Sequence, residues 1–269
     1  MIITSPQNEQ VKFIKGLSKK KNRDEEGLFA VEGLRGALEG IKSGAPLRRI
    51  AVSESFSKSR DMETLRGLIK SGGDLLSVRT DVFSDRIFET MCETETPQGI
   101  ICVFAVREPS EVSGESVILL ENVQDPGNVG TVIRTADAAG FDAVICGKGC
   151  VDVYNPKTIR STVGSVFHIP VIRSDKNSAS VALELKKAGY TLYAAHPRGG
   201  HSCFEEAFPG KTVIVIGNEA NGLSDEMLEA CDVCLTIPMP GKAESLNASV
   251  AAAILIYEKM RKRDPAPGI

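Results

Sequence analysis

The stretch Ser116-Val-Ile-Leu-Leu-Glu-Asn-Val-Gln-Asp-Pro-Gly-Asn-Val-Gly-Thr-Val-Ile-Arg-Thr-Ala-Asp-Ala-Ala-Gly140 decides the fold. Its first five residues form an apolar run of strand length, 116–120. A polar turn with Pro126 and Gly127 follows, and then a segment with helical spacing over 128–139. The same strand–turn–helix unit recurs downstream. Further strands are expected at 142–146, 168–172, 190–194, 212–216 and 233–237, with helices at 156–164, 177–188, 224–230 and 245–262. Alternation with such short connections predicts an α/β domain built on a mostly parallel sheet covered on both faces.

Outward from this stretch, Arg107–Ser116 is polar, contains Pro109 and Gly114, and separates two apolar runs. It is read as a linker at 107–114 between a domain at 1–106 and a domain at 115–269. The first domain reads as a smaller α/β unit. Helices are expected at Asn8–Leu17, from Gly33 to Ile41, at Met62–Ile69 and at Asp81–Phe88. Strands are expected at Leu28–Val31, Arg49–Val52 and Gly99–Val106, and Lys19–Arg23 reads as a loop. The closing residues, 264–269, read as a frayed tail.

The 269 residues are 42% hydrophobic, enough for a sizeable core, and carry a formal net charge of −3, which argues against indiscriminate binding to nucleic acid. The charge is unevenly spread. Residues 1–60 hold twelve Lys and Arg against seven Asp and Glu, with Lys12, Lys15, Lys19, Lys20, Lys21 and Arg23 clustered and Arg48 and Arg49 further on. The start, Met1–Gln10, has neither the basic nor the apolar part of a secretory signal, and Ala248–Tyr257 is too short to span a bilayer. Seven cysteines, an odd number in a chain of this length, do not suggest a disulfide framework. A cytoplasmic protein without membrane partners is expected.

Three strand ends concentrate polar residues where open α/β sheets bind ligands. Asn128 and Arg134 follow the first strand, with Asn128 suited to capping a helix; a capped helix with an Arg134–Asp137 surface pair is the plain alternative. Gly217-Asn-Glu219-Ala-Asn-Gly222 suits a tight loop facing a ligand, or simply a turn. In Ile237-Pro-Met239-Pro-Gly-Lys-Ala-Glu-Ser245-Leu246-Asn247-Ala-Ser249, Ser245 suits the helix cap and Asn247 falls in the first helical turn, against either a ligand or another chain. Asn155–Ser161 puts Lys157 and Arg160 at a helix start, able to hold a phosphate or merely solvated. Cys231-x-x-Cys234 lacks a second pair with metal-ligand spacing, so no metal is expected.

Taken together and in this order, 122–140, 213–222 and 235–252 resemble the SpoU (TrmH) family of RNA ribose 2′-O-methyltransferases. Phe29–Gly33 and Thr96–Gly99 are similar to parts of that family's small substrate-binding domain. The resemblance implies a catalytic domain with a trefoil knot, an accessory domain like ribosomal RNA-binding proteins, and S-adenosylmethionine as methyl donor. It also implies homodimers formed through the C-terminal domain. By motif match it implies Arg134, Asn128, Glu219, Ser245 and Asn247 as catalytic residues. Gly217, Ile237, Met239 and Leu246 would surround the donor. Structured RNA, ribosomal in preference to transfer RNA, is the implied partner, and DNA is not. A transfer RNA enzyme and an RNA-binding protein without catalysis are the alternatives.

Overall fold

The structure, a computed structural model, describes residues 1–71, 78–107 and 111–262. Most of the 107–114 linker is thus described except 108–110, and the expected tail 264–269 lies outside the described residues. The chain divides into two compact units. The first gathers Met1–Arg107 with Tyr154–His168, and the second Glu108–Val153 with Ile169–Ile269.

In the first unit, five strands form one sheet: β1 (Ile2–Ile3), β2 (Leu28–Glu32), β3 (Leu47–Ser53), β4 (Arg79–Phe83) and β5 (Ile100–Ala105). Their order is β1-β4-β3-β5-β2; β5 runs antiparallel to β2 and β3, and the other pairs are parallel. β5 reads Ile-Ile-Cys-Val-Phe-Ala because both of its faces are covered. Ile101 faces a cluster with Val11, Ile14, Phe83 and Phe88. Phe104, of opposite parity, meets Phe29 and Phe167 at ring-centroid separations of 6.0 and 4.9 Å. Tyr154 stands 4.6 Å from Phe29, so aromatic packing anchors both ends of the 154–168 excursion in this unit.

Two local expectations in this unit are corrected. Residues 19–23 are not a loop: Lys20–Glu26 is a helix. It has almost no apolar face, so periodicity misses it. Its support is Lys20–Asp24 at i,i+4 (2.8 Å), a left-handed Gly27 at its end, and a buried Arg23 that donates to the Leu17 and Ser18 carbonyls, both at 2.7 Å. Asp81–Phe88 is not one helix, because Arg79–Phe83 pairs with β1 and β3 before the short helix Asp85–Glu89 begins. That strand is specified by distant partners, which local spacing does not contain.

In the second unit seven strands, β6 (Ser116–Leu120), β7 (Ala143–Cys146), β8 (Val171–Arg173), β9 (Thr191–Ala195), β10 (His201–Ser202), β11 (Thr212–Ile216) and β12 (Val233–Thr236), order as β10-β12-β9-β11-β6-β7-β8. Every pairing is parallel. β6 and β11 are central and fully buried, which is why Ser-Val-Ile-Leu-Leu and Thr-Val-Ile-Val-Ile are almost continuously apolar. The expected strand at 168–172 begins only at Val171: residues 165–167 form a 3-10 turn, and Pro170 has no N–H for a ladder.

From β6 the chain moves outward to β7 and β8. From β11 it continues on the other side, to β12 beyond β9. The β6–β11 boundary is therefore a topological switch point, and the loops leaving these two strands face the crevice where such sheets bind ligands. The last helix, Ala248–Lys262, packs on the helix Pro126–Ala138 and on β11. Among the described residues no helix is long and apolar enough to cross a membrane.

Candidate active site

The loop after β6 sets up the first helix. Asn122 takes a left-handed φ of 54°, turning the chain sharply at the strand end. Asp125 is the N-cap: its carboxylate accepts from the Asn128 N–H at 2.7 Å, and Pro126 occupies the first turn, where its missing N–H costs nothing. This corrects the assignment of the cap to Asn128. Relieved of that duty, the Asn128 side chain points into the crevice and is only 8% exposed.

The loop after β11 folds back on itself. Asn218 and Gly222 exchange backbone hydrogen bonds at 3.0 and 2.9 Å, and Asn218 Oδ1 accepts from the Ala220 and Asn221 N–H groups. Its amide donates to the Asn122 carbonyl at 2.8 Å, tying the second loop to the first. A Cβ on Gly217 would lie 2.4 to 2.6 Å from backbone atoms of Gly222 and Leu223, so only glycine permits the fold-back.

The last helix begins at Ala248, not at Ser245. Asn247 Oδ1 accepts from the Ser249 and Val250 N–H groups at 2.9 and 3.3 Å, so Asn247 is the cap and lies outside the first turn. A residue that is a poor choice inside a helix is a good one at this position.

These loops bring Asn128, Glu219, Asn247 and Ser249 together. Asn128 Nδ2 donates to Glu219 Oε1 at 2.7 Å, and Asn128 Oδ1 accepts from Asn247 Nδ2 at 3.0 Å. The amide orientation follows from chemistry, because an ionised carboxylate only accepts. Ser249 Oγ stands 2.7 Å from Asn247 Oδ1 and 3.2 Å from Asn128 Oδ1; it has one proton, which favours the shorter contact. Asn247 thus holds the helix start and Asn128 at once.

Beside this cluster lies a cleft of about 260 Å³ at the C-terminal ends of β9, β11 and β12. Gly217, Ile237, Met239 and Leu246 all line it, as do Glu219 and Ser245. Arg134 is not among its walls. It is exposed on the helix Pro126–Ala138 and has no hydrogen bond or ion pair among the described residues, Asp137 included. The structure therefore brings together Asn128, Glu219 and Asn247, sets Ser245 on the cleft wall, and leaves Arg134 projecting from the same helix as Asn128.

Asn218 and Ser249 were passed over in the sequence. Asn218 sits between two residues that attract more attention, and Ser249 reads as packing against a ligand or another chain, with no tie to Asn128 or Asn247. The usable signal for both was the density of Asn and Ser at strand ends. Cys150, near the first loop, is held protonated: burial pushes its thiol up to about 11. Burial likewise takes Cys231 to about 12, and among the described residues no three His, Cys, Asp or Glu gather as metal ligands.

A parallel sheet with a polar cluster and an apolar cleft at its switch point defines a ligand-binding α/β enzyme class. Residues 115–257 match the SpoU rRNA methylase family and residues 8–102 the MRM3-like substrate binding domain; the chain belongs to the SpoU family. It is 39% identical over 255 residues to the 23S rRNA (guanosine(2553)-2′-O)-methyltransferase RlmP of Bacillus subtilis, covering 95% of this chain and 97% of that protein. It is 31% identical to the 23S rRNA (uridine(2479)-2′-O)-methyltransferase of Streptomyces viridochromogenes, covering 92% and 87%. The AdoMet-bound rRNA methyltransferase of Sinorhizobium meliloti superposes with a TM-score of 0.85 at 29% identity, covering 98% of each chain.

Proposed function

We propose that the protein transfers a methyl group from S-adenosylmethionine to a ribose 2′-hydroxyl of ribosomal RNA. The observation that carries this reading is the joining of three strand-end loops by Asn128, Glu219 and Asn247 at the wall of a cleft suited to the donor. The cleft fits such a molecule. Leu235, Ile237 and Leu246 offer apolar surface for a purine ring, while the turned-in backbone at Gly217 offers polar groups to its ribose and amino acid parts.

When bound, the donor supplies a sulfonium methyl that is already activated. What the protein must add is orientation and a place for the hydroxyl proton. Asn128, fixed from both sides, orients the ribose. Glu219 and Asn247 position Asn128, and Ser245 closes the wall. Arg134, which has no competing side-chain partner among the described residues, meets the ribose and its phosphate. A guanidinium binds phosphate strongly and cannot accept a proton while charged, so Arg134 orients these groups and the hydroxyl proton leaves to water.

Residues 1–106 serve as the RNA substrate-binding domain and 115–269 as the methyltransferase domain. In the first, Lys12, Lys15 and Lys19 are exposed and available to phosphates, Lys20 and Lys21 are exposed but pair with Asp24 and Glu25, and Arg23 is buried against carbonyls and drops out of that cluster. The protein acts in the cytoplasm as a homodimer, and its C-terminal segment is knotted. Support for the dimer comes from the last helix, whose Val250, Tyr257 and Met260 are 47%, 45% and 37% exposed along one side. Sedimentation should give twice 28.8 kDa; an active monomer would overturn it.

The deciding experiment is ribose-methylation mapping of total RNA from cells with and without the gene. One mark lost from ribosomal RNA is expected. A mark lost only from transfer RNA overturns the substrate, and no lost mark with donor binding intact favours an RNA-binding protein without catalysis.

A further inference from the structure

The excursion Tyr154–His168 lies within the stretch matched to the methylase family, yet it packs in the first unit. Its helix Pro156–Thr162 and the 3-10 turn after it close one side of a cleft of about 240 Å³, whose opposite side is β2 and the start of the next helix. Val31, Ile159 and Phe167 supply apolar wall; Arg35, Gln98 and Arg160 supply the polar part.

The charge in this cleft is unbalanced. Arg35 and Arg160 are exposed and have no acidic partner among the described residues. The carboxylate lining the cleft, Glu32, is already engaged by the Glu93 N–H at 2.7 Å and by Thr94 at 3.0 and 3.3 Å. Gln98 Oε1 is fixed by the Leu34 N–H at 2.8 Å, which leaves its NH₂ group free of partners among the described residues. At the rim, Val163 holds a left-handed φ of 52°, a conformation β-branched residues rarely take.

We propose that this cleft is an RNA subsite that takes one unstacked nucleotide, its base on the apolar wall and beside the Gln98 amide and its phosphate on Arg35 and Arg160. Apolar wall plus an amide donor suits a nucleobase, and paired guanidiniums suit a phosphate. The subsite rests on the reading of the protein as an RNA methyltransferase. It adds that the substrate-binding unit is completed by residues from the methylase stretch.

The test uses the full chain with both arginines replaced (R35A/R160A) and, separately, with both kept cationic (R35K/R160K). The probe is a transcript of large-subunit ribosomal RNA, bound across a salt series, with S-adenosylmethionine titrated calorimetrically as a check on folding. R35A/R160A should bind RNA at least ~10-fold more weakly, raise KM for RNA without lowering kcat, and keep donor affinity. Its log–log salt slope should fall by about 0.7, the value for one single-strand phosphate contact, while R35K/R160K keeps most of the slope. Wild-type RNA affinity and slope in R35A/R160A overturn the subsite. A wild-type protein that binds RNA but methylates no ribose overturns the proposed function instead, and the slope still decides the subsite. A wild-type protein that binds no RNA overturns both.

Discussion

Replacing Gly217 by alanine tests the donor cleft through a geometry that leaves little freedom. The added methyl would stand 2.4 Å from the Gly222 carbonyl carbon, 2.5 Å from its oxygen and 2.6 Å from the Leu223 nitrogen. Carbon atoms in contact sit at about 3.5–4.0 Å, so the fold-back must retreat by roughly 1 Å, and backbone cannot rotate aside as a side chain can. Retreat opens the Asn218–Gly222 pair and shifts the cleft wall. Overpacking of this kind costs about 1–3 kcal/mol. If the loop pays that cost only when the donor binds, Kd rises by roughly 10- to 100-fold. Gly241→Ala is the control, because its Cβ would meet nothing within 4 Å. Calorimetric titration with S-adenosylmethionine, paired with urea unfolding, reads both. If Gly217→Ala bound the donor within two-fold of wild type and unfolded at the same urea midpoint, the reasoning about this loop would be wrong.

Three further outcomes follow from the same geometry. Arg134→Ala should bind the donor normally, since Arg134 lies outside the cleft, and lose turnover on its RNA; near-normal turnover removes its assigned role. Asn128→Ala deletes one hydrogen bond to a carboxylate and leaves Asn247 and Ser249 short of a partner; because Glu219 and Asn247 are exposed and regain water, the stability loss should be only about 1–2 kcal/mol while turnover collapses, and a large drop in urea midpoint with activity preserved would contradict this. Burial pushes Cys92, Cys102 and Cys231 up to about 12 and Cys150 to about 11, from an ordinary value of 9.0. Above pH 9 the unfolded chain releases thiol protons that the folded chain keeps, so stability should be intact below pH 9 and decline as pH climbs toward 11–12. A urea midpoint that rises between pH 8 and pH 10 would show the sign to be wrong.

The second unit was largely legible in the sequence because burial on both faces leaves a loud pattern: strands such as Val213–Ile216 are apolar throughout and are separated by capped helices. The first unit was quieter. Lys20–Glu26 hides because its helix is held by ion pairs and by one buried arginine, and Arg79–Phe83 because its partners are β1 and β3, far off in the chain. At the site, residue types were legible and their duties were not. Asn128 and Asn247 stood out as polar groups at strand ends, yet which was cap and which faced the crevice depended on a one- to three-residue difference in helix start. The seat of Tyr154–His168 in the first unit depends on aromatic contacts between residues more than a hundred positions apart, which spacing within the segment cannot reveal.

The central claim is the identity of the atom methylated. Purified protein incubated with methyl-labelled S-adenosylmethionine and a large-subunit ribosomal RNA transcript, followed by alkaline hydrolysis, tests it most directly. A ribose 2′-O-methyl group blocks cleavage at its own 3′ phosphate, so the account predicts that the label appears in a single alkali-resistant dinucleotide. Label released entirely in mononucleotides would place the methyl on a base and contradict the account.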